Sequence, residues 1–160
     1  MGSHRQREIQ GFKLHAAVNQ LGLPLRALVT PGNRYDSPFF PKLIEDLEAD
    51  YVLADAGYDS KVNRKAAKAS NAEPVIAPNS RRGKRKKIKH VGLLKSERYV
   101  IEQFNGNIKA NVLKDCWVRP KGLVKKAAMV TAGLISYDAE ALRSLIAGEE
   151  SLKSVSKYWA

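Results

Sequence analysis

Tyr51-Val52-Leu53-Ala54-Asp55-Ala56-Gly57-Tyr58 decides how the rest of the chain is read. Four nearly uncharged, strand-prone residues run into a carboxylate, and the chain then turns at Gly57. A short apolar run bounded by turn residues reads as a buried strand, although so brief a run is ambiguous by periodicity alone. Asp55 then stands where the strand leaves its sheet. In open α/β folds ligand sites gather beyond the carboxyl ends of strands. The plainer reading of one Asp at such a place is a cap on a turn or on the next helix. A second stretch, downstream, shifts the balance.

Toward the N-terminus, residues 11–20 alternate loosely, with Phe12, Leu14, Ala16 and Val18 on one face and Lys13, His15 and Asn19 on the other. This is the pattern of a half-buried strand. Leu21 to Pro24 supplies a turn and residues 25–30 a second strand, so a hairpin is expected. Pro31-Gly32-Asn33 breaks it. Asp36 or Ser37 then caps a helix with Pro38 in its first turn, and Phe39, Phe40, Leu43, Ile44 and Leu47 form its apolar stripe.

Beyond Asp55, Ser60 caps a helix reaching Ser70, and the apolar segment from Pro74 to Pro78 reads as a strand. The order strand, strand, helix, strand, helix, strand argues an α/β layer fold. Arg81-Arg82-Gly83-Lys84-Arg85-Lys86-Lys87-Ile88-Lys89 follows, with seven basic residues in nine. Charges this dense repel one another, so a loop that contacts phosphates is expected. A long helix is predicted over residues 94–113, with Val100, Ile101, Phe104, Ile108 and Val112 on its buried arc. Arg98, Glu102, Asn105 and Lys109 line one narrow stripe beside that arc. A solvated ladder, Arg98 with Glu102 and Asn105 with Lys109, is the plainer account of that stripe. Leu123, Ala127, Val130, Leu134, Tyr137, Ala141 and Leu145 mark a last helical region, read with a break near Ser136.

The chain has 160 residues, enough for one core, and 28 basic against 16 acidic side chains give it a net charge of +12. That excess makes a polyanion the first partner to consider, with nucleic acid ahead of an acidic membrane surface. No apolar run reaches the roughly 18 residues of a membrane span, and no secretory signal is visible. One cysteine, Cys116, excludes a disulfide framework and a cysteine-based zinc site. A cytoplasmic, nucleoid-associated protein is the expectation.

Several stretches together resemble the catalytic domain of DDE-type insertion-sequence transposases. Gly11-Phe12-Lys13-Leu14-His15 and Thr30-Pro31-Gly32-Asn33-Arg34-Tyr35-Asp36-Ser37 resemble that family's strand and post-hairpin loop. Asp55-Ala56-Gly57-Tyr58 resembles its Asp-x-Gly-Tyr around the second catalytic carboxylate. Arg98, Glu102 and Lys109 fit its Tyr-x₂-Arg-x₃-Glu-x₆-Lys signature around the third, with Lys95 where the signature has Tyr. The resemblance implies an RNase H-like mixed sheet flanked by helices, incomplete at the N-terminus. The first catalytic Asp belongs to a strand before the hairpin, and residues 1–10 hold Glu8 but no Asp. The division it implies is a leader or linker over 1–10, a partial catalytic domain over 11–147 with the basic loop 81–89, and a tail over 148–160.

The same resemblance assigns Asp55 and Glu102 as catalytic ligands of magnesium or manganese in a two-metal site that is incomplete here. Arg98, Lys109, Arg81, Arg82, Lys84, Arg85, Lys86, Lys87 and Lys89 would contact double-stranded DNA, both transposon ends and target. Metal-dependent phosphodiester cleavage and strand transfer is the implied reaction, absent in this chain alone. The implied partner is a second copy or the missing N-terminal segment, with no membrane. The alternatives are a non-enzymatic nucleic-acid-binding remnant or another RNase H-like nuclease.

Overall fold

A computed structural model describes residues 11–79, 90–113 and 121–149. The basic loop 81–89, most of the loop before Leu123 and the tail from residue 150 lie outside the described residues. Strands β1 (Phe12–Val18) and β2 (Pro24–Pro31) form an antiparallel hairpin in which Leu14 faces Val29 and Ala16 faces Ala27. Its turn is closed by Asn19, whose side-chain Oδ1 accepts from the N–H groups of Leu21 and Leu23, both at 3.0 Å. Gly22 takes a φ of 82° there, a conformation that favours glycine.

A 3₁₀ turn (Ser37–Phe39) leads into the short helix α1 (Phe40–Ile44), and the chain leaves it before Asp46, a non-glycine residue at positive φ. Leu47, expected on the helical stripe, therefore lies beyond the helix. Asp36 precedes the turn without capping it; its carboxylate is taken by Lys13 instead. Strand β3 (Tyr51–Ala54) runs to Asp55, a second 3₁₀ turn (Ala56–Tyr58) follows, and α2 (Lys61–Ala69) begins under a Ser60 cap. The Ser60 hydroxyl accepts from the Asn63 N–H at 3.0 Å, satisfying one of the free donors of the first turn. Strand β4 (Glu73–Ile76) pairs parallel with β3, Ala54 against Ile76.

Helix α3 (Val91–Asn107) passes into a π-helical segment (Ile108–Val112), closed by the Leu113 N–H on the Ile108 carbonyl at 2.9 Å. Helix α4 (Leu123–Ile146) is continuous through Ser136, contrary to the expected break. The Ser136 hydroxyl donates back to the Ala132 carbonyl at 3.0 Å, so its polar group is satisfied without interrupting the helix. None of these helices is long and apolar enough to cross a membrane.

The architecture is mixed α/β, but the strands form two separate two-stranded sheets among the described residues. Phe12, Leu14, Ala16 and Val18 pack from β1 against Phe104, Ile108, Val130, Leu134 and Tyr137 of the α3, π and α4 segments. On the other side Ala17 and Leu28 from the hairpin, and Val52 and Ala54 from β3, meet Phe40, Leu43 and Ile44 of α1. The hairpin thus has helices on both faces, and the α1 core is what joins it to β3. The second face of β1 is not wet, as the alternation suggested: His15 on it is 3% exposed.

Candidate active site

Asp55 ends β3 with an extended backbone (φ −71°, ψ 163°) and an exposed side chain that does not cap the following turn. Its carbonyl accepts from the Tyr58 N–H at 2.9 Å, which closes the 3₁₀ turn. Gly57 within that turn has no positive φ, so the turn does not demand glycine for its backbone; a Cβ there would stand 3.4 Å from an Asp36 carboxylate oxygen.

Glu102 and Arg98 lie one turn apart on α3, and the Arg98 Nε donates to the Glu102 Oε1 at 2.7 Å. Both side chains are more than half exposed, so solvent screens the pair. The Arg98 pKa is raised, first by the hydrogen bond to Glu102, then by the negative charge of Asp55, then by that of Glu102. A charge effect that survives at so exposed a group requires proximity. Glu102 is hydrogen-bonded to Arg98, and the charge of Asp55, from a strand end distant in sequence, acts on the same guanidinium.

The ladder expected on α3 is half present. Its Arg98–Glu102 rung forms, while Lys109 is exposed on the π-helical segment beyond the end of α3. The basic residues from Arg81 to Lys89 lie outside the described residues.

A partly buried polar network behind the Asp55 turn carries groups for which no role was expected. His15 sits with Nδ1 3.1 Å from the Tyr58 hydroxyl and Nε2 2.9 Å from the Thr30 Oγ1, its ring 5.0 Å from that of Phe39. Burial lowers its pKa, more than the nearby Asp36 charge raises it, and Lys13 lowers it further. The Tyr58 phenol is pushed up to about 12 by burial and by the charges of Asp36 and Asp55. Lys13 donates to Asp36 at 2.8 Å and to the Arg34 carbonyl at 2.9 Å. A His on the supposedly polar face of a strand was the one available signal, and exposure was the wrong inference from it.

The site thus sets an exposed carboxylate at a strand end and a helical carboxylate paired with an arginine on an α/β scaffold. Residues 2–137 match the family described as Transposase DDE domain, and the chain belongs to that family. It is 47% identical over 49 residues to the putative transposase for insertion sequence element IS6501 of Brucella ovis, covering 30% of this chain and 38% of that one. It is 30% identical over 102 residues to the transposase for insertion sequence element IS1106 of Neisseria meningitidis serogroup B, covering 61% of this chain and 35% of that one. The matches thus span little more than a third of the length of these relatives. No solved structure matches.

Proposed function

We propose that the chain is the catalytic portion of an insertion-sequence transposase, built on an RNase H-like sheet and acting on DNA in the cytoplasm. The observation that carries this reading is the match of residues 2–137 to the transposase DDE domain, and the charge of Asp55 acting on the Arg98 that is bonded to Glu102 supports it. In the reaction, a hydroxyl gives up its proton and bonds to phosphorus while the opposite oxygen leaves and takes up a proton. Divalent ions, when bound about 4 Å apart, stabilise the attacking and leaving oxygens.

Magnesium takes hard oxygen ligands and keeps several waters, so two carboxylates suit one hydrated ion. Among the described residues no group of three metal-ligating side chains assembles. Asp55 and Glu102 therefore fit one ion and leave a second short of a ligand. Arg98 neutralises the Glu102 carboxylate and, turned outward, a DNA phosphate. Lys109 and the residues Arg81, Arg82, Lys84, Arg85, Lys86, Lys87 and Lys89 hold the duplex by its backbone. A third carboxylate would come from outside the described residues, and no described ladder joins the β1–β2 sheet to the β3–β4 sheet.

The test is metal binding and DNA cleavage by the purified chain. Manganese is expected to bind weakly, with loss of binding in Asp55→Asn and Glu102→Gln, and no nicking is expected. Wild-type manganese binding in both variants would remove the basis of the site. Magnesium-dependent nicking by the chain alone, lost in Asp55→Asn, would show that no further carboxylate is required.

A further inference from the structure

The network under Asp55 is expensive. An imidazole and a phenol are buried in a small domain, and two polar groups removed from water gain little from bonding each other compared with an apolar pair of the same shape. Every polar atom in it is nevertheless matched. Thr30 Oγ1 lies 3.5 Å from the Pro31 carbonyl, so its hydroxyl proton points there and it accepts from His15. His15 then carries its proton on Nε2, and Nδ1 accepts from the Tyr58 hydroxyl. The chain of donors runs one way, from Tyr58 through His15 and Thr30 to the backbone.

What this chain of bonds grips is the turn that bears Asp55. Tyr58 is bonded to Asp55 through the backbone, and its ring packs on Phe40 with centroids 5.8 Å apart. Asp36, anchored by Lys13, sits against Gly57 in the same turn. The turn is therefore tied to β1 by His15, to β2 through Thr30 and to the post-hairpin loop by Asp36. Asp55 itself is exposed, and these ties, with the Asn63 side chain that donates to the Tyr58 carbonyl at 2.8 Å, hold the turn that carries it.

We propose that His15 and Tyr58 are positioning residues: they fix the Asp55 carboxylate in the direction from which it ligates a divalent cation. The inference rests on Asp55 being such a ligand. Groups that orient a ligand from behind commonly change metal affinity by ten- to a hundredfold when removed, on the order of what is at stake here.

The experiment measures manganese affinity of the full chain by water-proton relaxation, with thermal unfolding recorded for each variant. Tyr58→Phe keeps the ring and removes only the hydroxyl; about tenfold weaker binding is expected with unfolding still cooperative. His15→Leu should weaken binding similarly, and His15→Gln, whose amide can bond in both directions, should recover part of the loss. Thr30→Val, which cuts the network at its far end, serves if His15→Leu does not fold. Asp55→Asn sets the reference. If Asp55→Asn weakens binding while folded Tyr58→Phe and Thr30→Val bind like wild type, the positioning role is wrong and the ligand assignment stands. If Asp55→Asn itself binds like wild type, the ligand assignment falls and takes the positioning role with it.

Discussion

Gly133 offers the sharpest test of how the helix carrying Glu102 is braced. A Cβ at Gly133 would stand 2.7 Å from Val112 Cγ2 and 3.0 Å from Val112 Cβ, and would overlap Cγ1. Carbon atoms in contact sit about 3.5–4.0 Å apart, so Gly133→Ala requires α4 and the π-helical segment to separate by roughly 1 Å. Val112 yields little, because its branched side chain has few rotamers. Overpacking of this kind costs about 1–3 kcal/mol, or more. Against it, alanine gains about 1 kcal/mol over glycine inside a helix. The net expectation is a loss of up to about 2 kcal/mol, which in a domain of this size lowers Tm by up to roughly 8 °C. The decisive measurement is thermal or urea unfolding of Gly133→Ala in two backgrounds. In the Val112→Ala background the obstructing methyl groups are gone and only the 3.0 Å approach to the residue 112 Cβ remains, so the same substitution should no longer destabilise and should gain at most about 1 kcal/mol from helix propensity. If Gly133→Ala stabilises the wild-type chain too, α4 does not press on the π-helical segment as described.

Burial lowers the His15 pKa below its ordinary 6.5. The unfolded chain therefore takes up that proton first, and His15 contributes stability that is complete above pH 6.5 and lost as pH falls through the native value. His15→Gln should flatten this descent in a pH series of Tm; an unchanged slope would show that His15 is not the group responsible. For the basic segment, replacing Lys84, Arg85, Lys86 and Lys87 with serine should reduce the slope of log affinity against log salt for duplex DNA by up to about 3.6, at roughly 0.9 per phosphate contact. Fluorescence anisotropy across a salt series reads this, and an unaltered slope would place the phosphate contacts elsewhere.

The hairpin, β3, the Ser60-capped helix and the long helix were legible in the sequence because each is dictated locally. Asn19 and Gly22 make the turn, Ser60 caps its own helix, and Val100, Phe104 and Ile108 recur at helical spacing. Asp55 and Glu102 were legible as candidates through resemblance, and the reach of the Asp55 charge to Arg98 on a distant helix is something no spacing could reveal. What the sequence hid depends on contacts between distant segments. His15 reads as a polar strand residue until Phe39, Tyr58 and Thr30 close over it. Asp36 reads as a helix cap until Lys13, on another strand, takes its carboxylate. The π-helical segment was likewise invisible, since Val112 still falls on the apolar arc whichever helix type carries it.

The two sheets meet through the α1 core and the His15–Tyr58 bond, and β3 bears the mark of an open edge. Tyr51 is exposed and Val52, Leu53 and Ala54 are half-buried, whereas Pro74, Val75 and Ile76 of its partner β4 are buried. The Glu73 N–H bonds to the Asp50 carbonyl and the Ala77 N–H to that of Ala54, so residues 50, 52 and 54 direct their backbone groups at β4. By strand alternation Tyr51 and Leu53 direct theirs away from it, and no described residue pairs with them in a sheet. A strand entering there would add edge to edge and leave the α1 core undisturbed. Hydrogen exchange should report this directly. The amides of Val52 and Ala54 are expected to exchange slowly, and that of Leu53 at least about tenfold faster, because an amide without a ladder partner opens without breaking the sheet. Addition of a peptide that completes the sheet should slow Leu53 and leave Val52 as it was. Protection of Leu53 equal to that of Val52 in the chain alone would mean that the seam is already filled, and a third carboxylate would then have to reach Asp55 by another route.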